Sequence, residues 1–210
     1  MSSSIEDDFD DANAEEMSEN EWANALERAE KAMNSLASQL QSPLMPKRHK
    51  SKQDYVTPRE FIDAVIARFG PLSWDLAATA DNKQAPRYFS YLQNSLDQDW
   101  NNLVDGNAWL NPPFEDVEPW AEKCAAYTGT GRIFLLTPAS TGANWFASYI
   151  FQQAQVILIK PRITFEGCED PYPKDCILSI FGPGVTPGIN EIWTWRAPRK
   201  TRVRKAKKED

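Results

Sequence analysis

A single histidine, His49, in 210 residues leaves no material for a histidine-based triad or a histidine metal cluster. Cysteine is nearly as scarce. Cys124, Cys168 and Cys176 make an odd count without a CxxC pair, so neither a disulfide frame nor a zinc site is expected. Three unpaired thiols suit a reducing, cytoplasmic setting. No run of eighteen apolar residues exists, which argues against a membrane-spanning helix. The start, Met1-Ser-Ser-Ser-Ile5-Glu-Asp-Asp, lacks the positive and apolar regions of a signal peptide, so none is expected. What is present is 41% hydrophobic residues with eight Trp and ten Phe, enough for one substantial core with tails.

The net charge of -7 averages unlike parts: -10 over residues 1–30, +4 over 31–54, -7 over 55–195 and +6 over 196–210. Such segregation marks solvated or interacting tails around a folded middle. Residues 1–18 read as an acidic disordered head and 19–41 as an amphipathic helix. Trp22, Leu26, Ala29, Met33, Leu36 and Leu40 recur at alternating steps of four and three, a heptad seam. Two readings remain open for it: a homodimer through the 22–40 helix, or a helix docked on its own domain, since fewer than three heptads is marginal for a coiled coil. Residues 42–54, with two prolines and Lys47-Arg-His-Lys50, read as a linker.

The folded part is expected over 55–195. Thr57-Pro58-Arg59-Glu60 predicts a helix start with Thr57 as cap and Pro58 at the first helical position. Phe61, Ile62, Val65, Ile66 and Phe69 give the apolar stripe and Gly70 the stop. Strands are predicted at Leu72–Leu76, Asn107–Leu110, Arg132–Leu136, Gln155–Ile159, Cys176–Phe181 and Glu191–Trp195, with helices over Asp116–Ala126 and Asn144–Gln153. Short buried strands alternating with helices give an α/β class with a mostly parallel sheet.

Asn111-Pro112-Pro113-Phe114 stands at the carboxyl end of a predicted strand, where open α/β sheets place ligands. An exocyclic amine on adenine is a poor nucleophile, because its lone pair is delocalised into the ring. Two oxygen acceptors aimed at its hydrogens, the Asn111 side chain and the Pro112 carbonyl, favour a pyramidal nitrogen and accommodate the charge that develops. Neither proline has an N–H, so the turn is stiff and cannot satisfy its own acceptors. Phe114 offers a plate for an extruded base, and such stacking is worth about 1–3 kcal/mol. No metal and no strong base are needed. A plain Asn-Pro turn is the competing reading.

The stretches TPREFIDAVIARFG, LSWDLAATADNKQAPRYFS, SLDQDW, AWLNPPF, PWAEKC, IFLLTPA, WFASYI and ILIKPRITFEG, in this order, resemble the phage-type DNA N6-adenine methyltransferases (Dam-like family) over residues 55–181. The resemblance implies a Rossmann-like S-adenosylmethionine-dependent fold with helices on both faces, S-adenosylmethionine as cofactor, DNA as partner and the cytoplasm of a prokaryotic cell or a phage-infected host as setting. It implies that Thr57 and Pro58 lie against the methionine end of the cofactor. Asp75, Ala77 and Ala78 would take the place of the first cofactor loop. Asp99, or else Asp97, would bind the cofactor's adenine amine, and Arg162 and Phe165 would shape the target-base side beside Phe114. Thr57 is equally explained as a helix cap, Asp99 as a turn residue and Arg162 as a surface charge. The chain departs from the wider methyltransferase pattern in having Asp75-Leu-Ala-Ala-Thr79 where a glycine-rich loop is expected. That departure keeps open a nucleic-acid-binding module with a degenerate cofactor site, beside a methyltransferase acting on RNA or protein glutamine. The basic 196–210 tail is expected to neutralise phosphates without reading bases.

Overall fold

The computed structural model describes residues 18–39 and 55–196. It divides into two units, Met1–Pro46 and Lys47–Asp210. The acidic head (residues 1–17), the 40–54 segment and the basic stretch from 197 onward lie outside the described residues.

In the first unit, helix α1 spans Glu19–Gln39 of the expected 19–41 helix, whose remaining residues lie outside the described ones. Its start is a capping box: the Ser18 backbone N–H and hydroxyl donate to the Glu21 carboxylate at 2.9 and 2.6 Å. Lys31 and Glu27, one turn apart, pair at 2.9 Å on an exposed face.

The second unit is built on seven strands: β1 (Leu72–Asp75), β2 (Arg87–Tyr88), β3 (Asn107–Leu110), β4 (Arg132–Pro138), β5 (Gln155–Lys160), β6 (Cys176–Phe181) and β7 (Gly188–Thr194). Their order is β2-β1-β3-β4-β6-β5-β7. All neighbours are parallel except β6, which runs antiparallel to both β4 and β5. The expectation of a mostly parallel sheet holds. Strand β2 is only two residues long, too short for any periodicity to show.

Alternation along the strands sends Ala108, Leu110, Ile133 and Leu135 to one face, and Trp109, Phe134 and Leu136 to the other. Helix α4 (Glu118–Ala125) covers the first face through Ala121 and Cys124, together with Phe146 and Ile150 of a π-helical turn, Phe146–Ile150. Helix α2 (Arg59–Phe69) covers the second through Phe61, Ile62 and Val65. Fully burying each such side chain stabilises by roughly 1.5–3 kcal/mol, several times any difference in helix propensity. Packing therefore decides where α2 sits.

The start of α2 differs from the expectation. Pro58, with φ -65° and ψ 137°, is the flanking residue, and the helix begins at Arg59 without a side-chain cap. The Pro58 carbonyl accepts the first helical N–H groups, from Phe61 at 2.9 Å and Ile62 at 3.3 Å. Thr57 is turned into the protein, 2% exposed, and its hydroxyl caps nothing.

From β1 the chain passes to β2 on one side, then returns to lay β3 on the other side of β1. The crevice beyond the carboxyl ends of β1 and β3 is thus the switch point of the sheet, the favoured ligand position in open α/β folds. Asp75 closes β1 and Leu110 closes β3 directly before Asn111.

At the opposite edge, glycines interlock. A Cβ on Gly131 would strike the Gly106 carbonyl oxygen, the acceptor for Arg132 N–H at 2.9 Å. Gly182, at φ +110°, would strike the Gly131 carbonyl in turn. Gly131→Ala is expected to cost about 1–3 kcal/mol through overpacking, measurable as a lower midpoint in urea with an unchanged slope. An unchanged midpoint would show that this edge relaxes freely.

Candidate active site

Asn111 Nδ2 donates to the Tyr55 carbonyl at 2.6 Å. Only the amide nitrogen can donate to a carbonyl, so this bond decides the rotamer and leaves Oδ1 on the other side. There Oδ1 is buried and has no partner. An unsatisfied buried acceptor costs about 1–3 kcal/mol.

The second buried orphan nearby in sequence to Tyr55 is Thr57 Oγ1. Pro112 is buried and Pro113 exposed, while Phe114 is half-buried. Phe114 belongs to an aromatic group with Tyr55 (ring centroids 5.7 Å apart), Tyr172 (5.6 Å) and Phe165 (5.9 Å). The segment holding the last two is sewn to the rest by Glu166 N–H to the Val56 carbonyl at 3.0 Å and Tyr172 N–H to the Ile163 carbonyl at 2.8 Å.

At the end of β1, Asp75 is 3% exposed and accepts from Gln84 N–H at 2.9 Å and Ala77 N–H at 3.3 Å. Its carboxylate braces a loop across nine residues of chain. Thr79 N–H donates to the Asn82 side chain at 2.7 Å, and buried Ala78 donates to the Phe89 carbonyl at 3.1 Å. No residue from 75 to 84 has positive φ. The loop therefore needs no glycine, which accounts physically for Asp75-Leu-Ala-Ala-Thr79.

Other expected site residues are placed differently. Asp99 is the exposed cap of helix α3 (Trp100–Leu103) and accepts from Asn102 N–H at 3.4 Å and Asn102 Nδ2 at 2.6 Å. Asp97 is engaged by Asn94 Nδ2 at 2.5 Å. Arg162 spends its guanidinium on Asp175 (2.6 Å) and the Pro173 carbonyl (3.0 Å), pinning the 161–175 segment. Phe165, 1% exposed, backs Tyr55 and Phe114 from inside the core and presents no free face. Sequence reasoning passed over Tyr55 and Tyr172. Tyr55 acts through a backbone carbonyl, which no side-chain pattern reports, and Tyr172 lies in an irregular Asp-Pro-Tyr-Pro stretch. Among the described residues no group of His, Cys, Asp or Glu could hold a metal ion, and no helix is long and apolar enough to cross a membrane.

Residues 46–177 match the family described as DNA N-6-adenine-methyltransferase (Dam). The chain belongs to that family. Of its 210 residues, the matched stretch contains Thr57, Asp75, Asn111, Phe114, Phe165 and Tyr172, hence the whole arrangement just described. A relative, the DNA N-6-adenine-methyltransferase of Escherichia phage T1, is 29% identical over 109 residues, covering 51% of this chain and 45% of the relative. The match thus spans about half of this Dam-family chain and less than half of that protein.

Burial pushes the Asp75 carboxyl up to about 7, against the opposing pull of the Gln84 and Ala77 N–H groups. The folded chain then holds this proton more tightly than the unfolded one, whose carboxyl titrates near 3.9. The stability associated with the neutral form is complete below that value and is lost as pH rises towards about 7. Asp75→Asn is expected to flatten this part of the curve of Tm against pH between 4 and 7. Parallel curves for the two proteins would refute the assignment.

Proposed function

We propose that this Dam-family chain transfers the methyl group of S-adenosylmethionine to the N6 amino group of adenine in DNA, on a Rossmann-like sheet with residues 55–195 as the methyltransferase domain. The observation that carries the reading is the Asn111 Oδ1 acceptor, buried, unpartnered and held in one orientation by the Tyr55 carbonyl. It can accept one N6 hydrogen while the Pro112 carbonyl accepts the other. The two bonds draw the lone pair out of the ring and towards an incoming methyl carbon. Phe114 steadies the extruded base, whose removal from the duplex costs a few kcal/mol.

S-adenosylmethionine would supply an electrophilic methyl on a sulfonium, and the transfer would break a carbon–sulfur bond, form a carbon–nitrogen bond and pass one N6 proton to solvent. Residues of this chain offer groups that such a molecule would use. Thr57 Oγ1 is a buried hydroxyl in need of a partner, and with Pro58 it would meet the methionine end. The loop braced by Asp75 presents Ala77 and Ala78, small enough for close approach. Asp99 would meet the cofactor's adenine amine only with the acceptor capacity left beside Asn102, and Arg162 would act on the target-base side by holding its segment in place. Buried Cys124 and Cys176 fit a reducing cytoplasm; burial raises the Cys176 thiol to about 12.

Removing one preorganised acceptor typically costs about 3–4 kcal/mol, or 10²–10³ in rate. Asn111→Ala is therefore expected to lower methyl transfer to unmethylated DNA by at least a hundredfold while keeping cofactor binding, assayed by nucleoside analysis for N6-methyladenine and by calorimetry. Methylation appearing instead on RNA or on protein glutamine, or no binding of S-adenosylmethionine, would overturn the proposal.

The 55–195 part carries net -7 and the 196–210 tail +6, so the tail is the proposed source of phosphate affinity. Deleting residues 197–210 is expected to weaken DNA binding and flatten the dependence of log K on log salt, read by fluorescence anisotropy from 50 to 300 mM salt. Equal slopes would rule the tail out. A homodimer through the 22–40 seam is proposed as the use of α1.

A further inference from the structure

A cavity of about 270 Å³ opens beside Phe114, with Trp145 and Tyr172 as its other aromatic walls. Asn111 does not line it, so it is not the place of the reacting amine. Phe114 borders both sites, touching Tyr55, whose carbonyl orients Asn111, and Tyr172, whose ring stands at 62° to its own.

The chemistry of the rim narrows the occupant. Glu115, Asp116 and Glu118 line the cavity against a single cation, Lys174. Three carboxylates repel a phosphate, so the sugar–phosphate backbone is excluded. Aromatic walls favour a flat ring, and carboxylates are acceptors only. Both demands are met by a nucleobase carrying an exocyclic amino group, whereas thymine has none. The half-buried Tyr172 and the exposed Asp116 leave the cavity reachable from solvent.

We propose that this cavity receives a base adjacent to the target adenine on the same strand, and that it selects adenine, cytosine or guanine over thymine there. The proposal rests on the methyltransferase reading above, because the neighbour is placed by a target adenine extruded onto Phe114, which also lines this cavity. Tyr172 and Asp116 are then specificity-determining residues, the first by stacking and the second by accepting the amino hydrogen.

The test uses the full chain with S-adenosylmethionine on unmethylated genomic DNA, mapping methylated adenines at single-nucleotide resolution. In the parent, thymine should be disfavoured at one adjacent position by on the order of tenfold, the usual cost of one lost base contact. Tyr172→Ala and Asp116→Asn should each reduce that bias to about threefold or less, and Tyr172→Phe should retain it. Thermal unfolding checks that each variant is folded; should Tyr172→Ala not fold, the exposed Asp116→Asn decides alone. Adenine methylation without a bias at either neighbour, or with a bias that survives in the folded variants, overturns the pocket and leaves the methyltransferase reading standing. A parent that methylates no adenine overturns both together.

Discussion

The contact on which the site depends is the bond from Asn111 Nδ2 to the Tyr55 carbonyl. A side-chain amide has a donor end and an acceptor end, and a buried one is free to turn unless something distinguishes them. The Tyr55 carbonyl makes the distinction, so the acceptor end is turned away from it and stays buried without a partner. Everything nearby serves to keep that carbonyl in place. The Tyr55 ring is gripped by Phe114, Phe165 and Tyr172 at 4.9–5.7 Å, and the next residue, Val56, is tied to Glu166 through its backbone. Thr57 then turns inward, and helix α2 locks the segment through Phe61, Ile62 and Val65.

This chain of support explains why the helix start departs from its local signal. Thr-Pro-x-Glu would ordinarily spend the Thr hydroxyl on a helical N–H, which gains about 1 kcal/mol. Here Thr57 is drawn inward and the Pro58 carbonyl receives the first N–H groups instead. The lost cap is small beside the burial of three apolar side chains on the sheet. A hydroxyl left unpaired inside a protein is costly, and this one stands four residues before Phe61, the first core residue of α2, without serving the helix.

Much of the fold was legible because the sheet is buried on both faces. Ile-Phe-Leu-Leu at 133–136 and Val-Ile-Leu-Ile at 156–159 could serve only as covered strands, and Asn111-Pro-Pro-Phe114 follows such a strand in the sequence itself. Illegible were features with no side-chain period. Strand β2 is a two-residue pairing created by its neighbour, the antiparallel sense of β6 is set by connections rather than composition, and Tyr55 works through an atom every residue possesses. Phe165 is legible as an aromatic, but its depth is not, because that depends on the 161–175 segment, which Arg162 holds through Asp175 and Pro173.

The missing glycines follow from the same economy. A glycine-rich loop solves the problem of bringing backbone close to a ligand by allowing positive φ. In this chain a carboxyl group closes the loop instead: both Asp75 oxygens accept from loop N–H groups, and every φ from 75 to 84 stays negative. The cost is a buried acid whose proton affinity is raised by desolvation, so the loop is coupled to pH in a way that glycines never are. At the other end of the sheet, where Gly106, Gly131 and Gly182 do pack backbone against backbone, glycine is kept. Glycine is thus retained where strands must touch, and is dispensable at the crevice, where an acid can hold the chain in its place.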